Sequence, residues 1–587
     1  MNYQLNNNEE DKSQKKSFLE TAKSLWPFLA GEKNKLLLAA IAILINSGLT
    51  LLAPLLVGIT IDKFIVTKQF NGVLLYSGIL LIVYIATAIA SYTQTILTGG
   101  IGQRLLFSLR NAIFNKLQEL PIAFFNQNKA GDLISRINND TDKLNQFFAQ
   151  SLVQFVNNAF IIAGAGIFIV VINPKLGSAA LLPALGLLIL TRILGGWVKR
   201  KNTASLQATG EMSAEIQESL NNFKVIVAFN RRDYFRVKFQ EANQKNYVAS
   251  VGAGIANGLF MPVFDFAGNL AQLIVLSYGI YLTATGNFTI GLLIGFLSYT
   301  SRFYDPLRQV ASLWTTMQIA LAAWNRIAQI INLKSDLPVL PVATKKESSS
   351  LLEFKNVTFT YPSGKEVLHN ISFKLEKGKK YALVGPTGGG KTTTASLMAR
   401  LYDPTQGIIL LDGQDLRSFE PSIRAQKIGF ILQEPFLFTG TVKDNIIYGN
   451  SLYTNYTEEQ LVEVLKSKNL EELIAKFDQG LQTRVTTSGD TISLGQKQLI
   501  AFIRAVLRNP ELLILDEATA NIDTVTEQIL EDILKKLPKE TTLVVIAHRL
   551  NTIENADEIF FVNSGEIISA GSLDNAVDLL LHGKRVS

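Results

Sequence analysis

The 587-residue chain contains no cysteine. That absence excludes a disulfide scaffold, a cysteine nucleophile and thiolate metal sites. Charge is scarce as well: 18% of residues are charged, where soluble domains carry roughly a quarter. Part of the chain is therefore expected where charge is costly, and a fully soluble enzyme is disfavoured. The length alone would accommodate about three or four domains.

What is abundant is apolar, at 48% of residues, and the +7 net charge is unevenly spread. Residues 1–340 hold 29 Lys and Arg against 18 Asp and Glu, a balance of +11, while 341–587 hold 27 against 31, a balance of −4. A basic half with long apolar runs suits either nucleic acid or a membrane. The runs decide for the membrane, so no nucleic-acid partner is expected.

Six mostly apolar stretches, at about 36–61, 72–98, 151–172, 176–197, 259–283 and 289–311, are long enough to cross a hydrocarbon core of about 30 Å. Pro54 and Pro183 lie inside them, as lipid-embedded helices tolerate. The connections alternate. Those at 62–71, 173–175 and 284–288 are short, with only Lys63, Lys68 and Lys175 as cations, whereas 99–150 and 198–258 are long, amphipathic and rich in Lys and Arg. Excess Lys and Arg marks the cytoplasmic side. Lys12, Lys15, Lys16 and Lys23 place the polar amino-terminal tail on that same side, and it reads as a cytosolic tail, not a signal peptide. Around 333–350 the composition turns to Pro, Ser and Lys, which reads as a linker. The expected layout is a membrane domain over 1–332, a linker over 333–350 and an α/β domain over 351–587.

In that second domain LEFKNVTFTY and ISFKLEKGKKYALVG alternate as strands do. The second is expected to run into Gly385, Pro386, Thr387, Gly388, Gly389, Gly390, Lys391, Thr392 and Thr393. This is the pattern G-x-x-x-x-G-K-T, whose backbone amides wrap phosphates, whose lysine reaches the outer phosphates and whose threonine hydroxyl suits magnesium. The helix that follows turns its positive end to the anion. Leu512-Leu513-Ile514-Leu515 then ends in Asp516-Glu517. Alone, such a pair would read as a solvated strand end. Beside a phosphate loop, Asp516 suits the magnesium shell and Glu517 suits polarising a water in line with the γ-phosphate.

With these residues in view the second half resembles the nucleotide-binding domain of ATP-binding cassette (ABC) proteins. Six spans with two long cytoplasmic extensions resemble the membrane domain of ABC exporters. The resemblance implies the fold: a six-span α-helical domain followed by an α/β P-loop NTPase. It further implies that Tyr361 stacks on adenine, that Gln433 in FILQEPFLF reaches magnesium and the attacking water, and that His548 contacts the γ-phosphate. Ile492-Ser493-Leu494-Gly495-Gln496 matches the signature motif, giving Ser493, Gly495 and Gln496 a place at the nucleotide. Asn521-Ile522-Asp523 falls on the loop between two cassettes, with Asp523 at the nucleotide site. His369 and His582 match nothing.

The family sandwiches each ATP between the phosphate loop of one cassette and the signature of another. One cassette per chain therefore implies a half-transporter with a second subunit. Here the signature carries Leu494 where the family has glycine, and Thr487 stands where exporters carry an acidic residue. Glycine permits close approach and unusual backbone angles. That departure, beside intact Gln433, Glu517 and His548, implies a heterodimer, with a homodimer as the alternative. The resemblance places coupling helices near Pro121–Asn128 and Ala228–Phe235. It implies ATP and Mg2+, a multi-pass protein of the cytoplasmic membrane, and export of hydrophobic or amphiphilic compounds. A lipid flippase is the close alternative, and an ATP-gated channel shares every motif. Within the spans, Asp265, Arg192 and Arg302 are ionisable, and such groups are often functional. Asp265 reads equally as a cation ligand or as a partner for the adjacent helix.

Overall fold

The computed structural model describes residues 3–5, 18–341, 349–362, 364–433, 435–486, 492–516, 524–546 and 556–582. The chain forms two compact units. One comprises Asn7–Gln118 and Gly131–Asn332, the other Met1–Asn6, Glu119–Ala130 and Leu333–Ser587.

The first unit is helical. Its long helices are Lys33–Thr60, Phe70–Glu119, Leu152–Ile172, Pro174–Asn221, Arg232–Gly258, Phe260–Ala284 and Ile290–Ile331. Two of them show why the sequence starts a helix where it does. The Asn173 side chain accepts from the backbone amides of Lys175 and Leu176 at 3.1 and 3.0 Å, with Pro174 in the first turn, a proline position that sacrifices no hydrogen bond. Thr289 caps the final helix through Leu292 N, and Asp62 adds a carboxylate to the Gly291 amide at 2.8 Å, as a helix N-terminus favours. The long connections are continuations of spans: Phe70–Glu119, at 50 residues, extends about 75 Å at 1.5 Å per residue.

Among the described residues, five helical stretches are long and apolar enough to cross a membrane: Lys23–Ile65, Phe70–Glu119, Ala130–Ile172, Pro174–Asn221 and Arg232–Ala284. The sixth expected span, 289–311, is helical but does not reach that mark, because Arg302, Asp305 and Arg308 fall within Ile290–Ile331. Asp265 is paired there, with Arg308 at 2.7 Å. Residues lining the apolar helices, such as Leu81 and Ile82, face outward, as a lipid solvent permits. On the extension the sequence marked as cytoplasmic, Arg136 is fully buried against Asp132 (2.8 Å) and Gln329 (2.8 Å), and Asp140 pairs with Arg326 at 2.9 Å. Burying these charges is tolerable because they are mutually paired.

The second unit is built on two sheets. Strands β1 (Ser350–Thr360), β2 (Glu366–Glu376), β4 (Gln406–Leu411) and β5 (Gln414–Asp415) form an antiparallel sheet of order β2-β1-β4-β5. Strands β3 (Lys380–Val384), β6 (Ile428–Ile431), β9 (Leu512–Asp516), β10 (Thr542–Ile546), β11 (Glu558–Asn563) and β12 (Glu566–Ser569) form the order β12-β11-β3-β10-β9-β6, parallel except for β12. A small pair, β7 (Gly440–Thr441) and β8 (Arg484–Val485), stands apart. The run ISFKLEKGKKYALVG is two strands, not one. The chain turns at Lys377–Lys379, and β2 and β3 then enter different sheets. A buried run such as β9, covered on both faces, is what a central parallel strand requires.

Candidate functional site

The parallel register assembles the site. Leu383 of β3 pairs with Ile546 of β10, and Ile546 with Asp516 of β9, so three strands end in one row. Ile431 of β6 pairs with Leu515. The phosphate loop, Asp516 and Gln433 therefore all emerge at the carboxyl edge of the sheet, where open α/β sheets bind ligands.

The loop runs from Val384 to the helix Lys391–Met398. Gly385 and Gly390 hold φ of +143° and +114°. A Cβ at Gly385 would stand 2.0 Å from the Val562 carbonyl oxygen, and one at Gly390 would stand 2.8 Å from Leu368. Only glycine serves at either position. The Lys391 ammonium donates to the carbonyls of Gly385 and Pro386, at 2.8 and 3.1 Å. It thus sits across the mouth of the loop, spanning the space that a phosphate would take. Thr392 Oγ1 donates to Asp516 Oδ1 at 3.4 Å, and Asp516 is only 2% exposed. A hydroxyl and a buried carboxylate converging beside a phosphate loop fit magnesium, which prefers one or two protein oxygens plus substrate phosphates. Among the described residues no cluster of three His, Asp or Glu could hold a metal by itself.

Tyr361 lies just past β1. Its hydroxyl and that of Thr393, on the loop helix, are 3.1 Å apart. Its ring meets Phe359 and Tyr402 edge to face, at 4.8 and 5.3 Å. Gln433 is exposed beyond β6. Glu517, His548 and Asp523, with Asn521, Ile522 and Thr487, lie outside the described residues.

The signature serine caps its own helix. Ser493 Oγ accepts from Gln496 N at 3.2 Å, Gln496 Oε1 accepts from Ser493 N at 2.9 Å, and Gln496 Nε2 donates to the Lys476 carbonyl at 2.9 Å. This is a capping box. Leu494 is the first residue of that helix, 41% exposed, and has no positive φ. The backbone angles that glycine uniquely allows are not needed here. That removes one of the two reasons for treating leucine as disruptive, leaving only its exposed side chain.

Sequence reasoning overlooked three residues. Arg504, on the signature helix, donates to the Asn445 and Phe436 carbonyls and to Asn445 Oδ1, and sits 5.5 Å from the Tyr448 ring centre. It ties the segment after Gln433 to the signature helix, and burial lowers its pKa. Tyr402 accepts a 2.8 Å hydrogen bond from Asn126, on the short helix Ile122–Gln127. Burial raises the Tyr402 pKa, although that bond pulls it down. Arg400 is 3% exposed and grips Asp403 at 2.9 Å and the Pro338 carbonyl at 2.7 Å. No spacing in the sequence announces any of the three. The neighbouring motif residues were the only available cue.

Family models agree with this geometry. The ABC transporter transmembrane region matches residues 36–307, and the ABC transporter model matches 368–520. An uncharacterized ABC transporter ATP-binding protein of Bacillus subtilis, YfiC, is 33% identical over 95% of this chain and 92% of its own. The chain belongs to the ABC transporters. A fatty acid ABC transporter ATP-binding/permease protein of Mycobacterium bovis is 33% identical over 84% of this chain and 77% of its own. The fold matches a solved bacterial Atm1-family ABC exporter with ATP bound, at a TM-score of 0.77 and 24% identity over 94% of this chain and 97% of that one. The ABC chain is a multi-pass membrane protein that binds ATP, couples its hydrolysis to transport and works as a dimer.

Proposed function

We propose that this chain is one subunit of a heterodimeric ABC exporter that moves hydrophobic or amphiphilic compounds, multidrug-type or lipid-like, across the cytoplasmic membrane. The observation that carries the reading is the shared carboxyl edge of β3, β9 and β6, which gathers the phosphate loop, Asp516 and Gln433 into one site. The fatty-acid relative supports a lipid-like cargo. In the proposed layout 1–332 is the membrane domain, 333–350 the linker and 351–587 the cassette, which faces the cytoplasm with the amino terminus.

In the site, Tyr361 stacks on adenine, and Gly385 to Gly390 wrap the phosphates through their amides. Lys391 leaves the loop carbonyls to reach the outer phosphates. Thr392, Asp516 and Gln433 would hold magnesium, which supplies charge neutralisation at the phosphates. Thr393 steadies Tyr361. Glu517 orients and deprotonates the attacking water, and His548 holds the γ-phosphate. Ser493, Gly495, Gln496 and Asp523 complete a site across the dimer. Binding closes the two cassettes, hydrolysis lets them part, and the membrane helices alternate their access accordingly. The Glu517→Gln protein is expected to bind ATP at wild-type affinity while its turnover falls about 10²- to 10⁴-fold. Near-normal hydrolysis would remove Glu517 from the mechanism.

A homodimer is the second reading, and the ordinary helical backbone at Leu494 favours it. ATPase activity of the chain purified alone separates the two. A stable homodimer that turns over briskly rejects the heterodimer, whereas a silent chain rescued by a different subunit rejects the homodimer.

A further inference from the structure

The coupling helix near Pro121–Asn128 is held by a segment no motif announced. Tyr3 is 1% exposed and Leu5 8%, both far in sequence from what covers them. The Tyr3 amide donates to Gln127 Oε1 at 2.8 Å, and its carbonyl accepts from Asn128 Nδ2 at 2.9 Å. The Leu5 amide donates to Asn128 Oδ1 at 3.1 Å. The Tyr3 ring meets Phe124 edge to face at 6.2 Å. Its hydroxyl accepts from the Asp336 amide at 2.9 Å and donates to the Lys334 carbonyl at 3.3 Å. Two backbone amides bonding the side-chain oxygens of the neighbouring Gln127 and Asn128, with a buried ring beside them, make a docked strap and not a loose tail. Three consecutive residues thus bridge the coupling helix to the linker.

Both ends of that bridge reach the segment around 400–403 that follows the phosphate-loop helix, and one of them leads on to that helix. On the linker side, Pro338 is gripped by Arg400, whose own fork holds Asp403. On the helix side, Asn126 bonds Tyr402, the Tyr402 ring abuts Tyr361, and Tyr361 reaches Thr393 on the phosphate-loop helix. Without Tyr3 the coupling helix retains its bond to Tyr402, while the hydroxyl bonds to Lys334 and Asp336 are lost.

We propose that Tyr3 to Leu5 form an intramolecular strap that positions the first coupling helix against the linker, so that a change at the nucleotide moves helix and linker together. Tyr3 is a positioning residue and touches neither ATP nor cargo. The role in coupling rests on the exporter reading above, and docking of the strap does not.

Two measurements on the full-length transporter test this. Because the chain has no native cysteine, Leu5→Cys gives a single maleimide target. Its labelling is expected about tenfold slower than in urea, as for a locally protected site, and Tyr3→Ala should restore the fast rate. Fast labelling of Leu5→Cys in an otherwise wild-type chain overturns docking. In proteoliposomes with Hoechst 33342 as probe, Tyr3→Ala is expected to hydrolyse ATP within about twofold of wild type while dye moved per ATP falls about 3- to 30-fold, the range seen along coupled networks. Tyr3→Phe, which keeps the ring and drops the hydroxyl bonds, should fall between them. An unchanged dye-to-ATP ratio in Tyr3→Ala overturns the coupling role. A wild type that moves no Hoechst 33342 while exchanging ATP overturns that role for this probe, and the labelling result still decides docking.

Discussion

Replacing Arg504 by methionine gives the severest test of how the cassette is tied together. The guanidinium makes three hydrogen bonds, of 2.8, 3.2 and 3.0 Å, to Asn445 O, Phe436 O and Asn445 Oδ1. Asn445 is fully buried, and its own amide nitrogen is committed to the Phe438 and Thr441 carbonyls. Methionine fills the aliphatic volume but removes one donor from each oxygen, although Asn445 Oδ1 keeps the Phe438 amide at 2.9 Å and the Asn445 carbonyl keeps the Tyr448 amide at 3.4 Å. Hydrogen bonds to a charged group are worth about 1.5–3 kcal/mol each, and because the three share a partner they do not add, so a loss of about 3–4 kcal/mol is expected. For a domain of this size each kcal/mol moves the midpoint by about 2–4 °C, giving a fall of about 6–16 °C. Differential scanning calorimetry of the detergent-purified chain measures it, since the four tryptophans all lie before residue 325 and do not report on the cassette. Arg504→Lys keeps the charge and the ring contact but lacks the planar fork, so its midpoint should lie between. The segment held by Arg504 follows Gln433 directly, so ATP turnover should fall with the midpoint. A midpoint for Arg504→Met within about 2 °C of wild type would refute the tie as a stabilising contact.

Three further changes test other parts of the site and its scaffold. Gly390→Ala forces a Cβ to 2.8 Å from Leu368 at a φ of +114°, so nucleotide affinity measured by fluorescent-ATP titration should drop about tenfold or more, at a folding cost of about 1–3 kcal/mol. Glu353 is 8% exposed; burial pushes its carboxyl up, but hydrogen bonds from Lys374 (3.0 Å) and Lys355 (3.1 Å) outweigh this and hold it below the usual range. A depressed carboxylate contributes stability above its unfolded pKa of about 4.3, so the wild-type advantage over Glu353→Gln in urea unfolding should be full at neutral pH and shrink as pH falls below that value. Leu494→Gly costs up to about 1 kcal/mol at a helix start; if the exposed side chain obstructs the neighbouring nucleotide, ATPase of the chain alone rises several-fold, and an unchanged rate clears leucine of that role.

Much of the ATP site was legible because its chemistry is local in sequence. A phosphate loop needs glycines at fixed offsets from a lysine, and a buried strand ending in Asp516 declares itself by its apolar run. The helical half was legible for the same reason, and its last helix carries Arg302, Asp305 and Arg308 at three-residue intervals among the apolar residues. Asp265 could be noticed in the sequence but not paired, because Arg308 lies 43 residues away.

What could not be read is whatever depends on two distant segments meeting. The strand ISFKLEKGKKYALVG breaks because β2 and β3 belong to different sheets, and sheet membership is decided by partners elsewhere in the chain. Tyr402 looked like any aromatic before a proline-containing loop until Asn126, 276 residues away, donated to it. Leu494 shows the opposite error. A family pattern assigned glycine there for its backbone freedom, yet a capping box seats the residue in ordinary helical geometry, so the pattern's physical reason must lie in side-chain clearance. A sequence departure therefore weakens a site only by the physical requirement that the residue met. On the proposed reading, the requirement at Leu494 is clearance toward a second cassette, and the activity of the chain alone is where it registers.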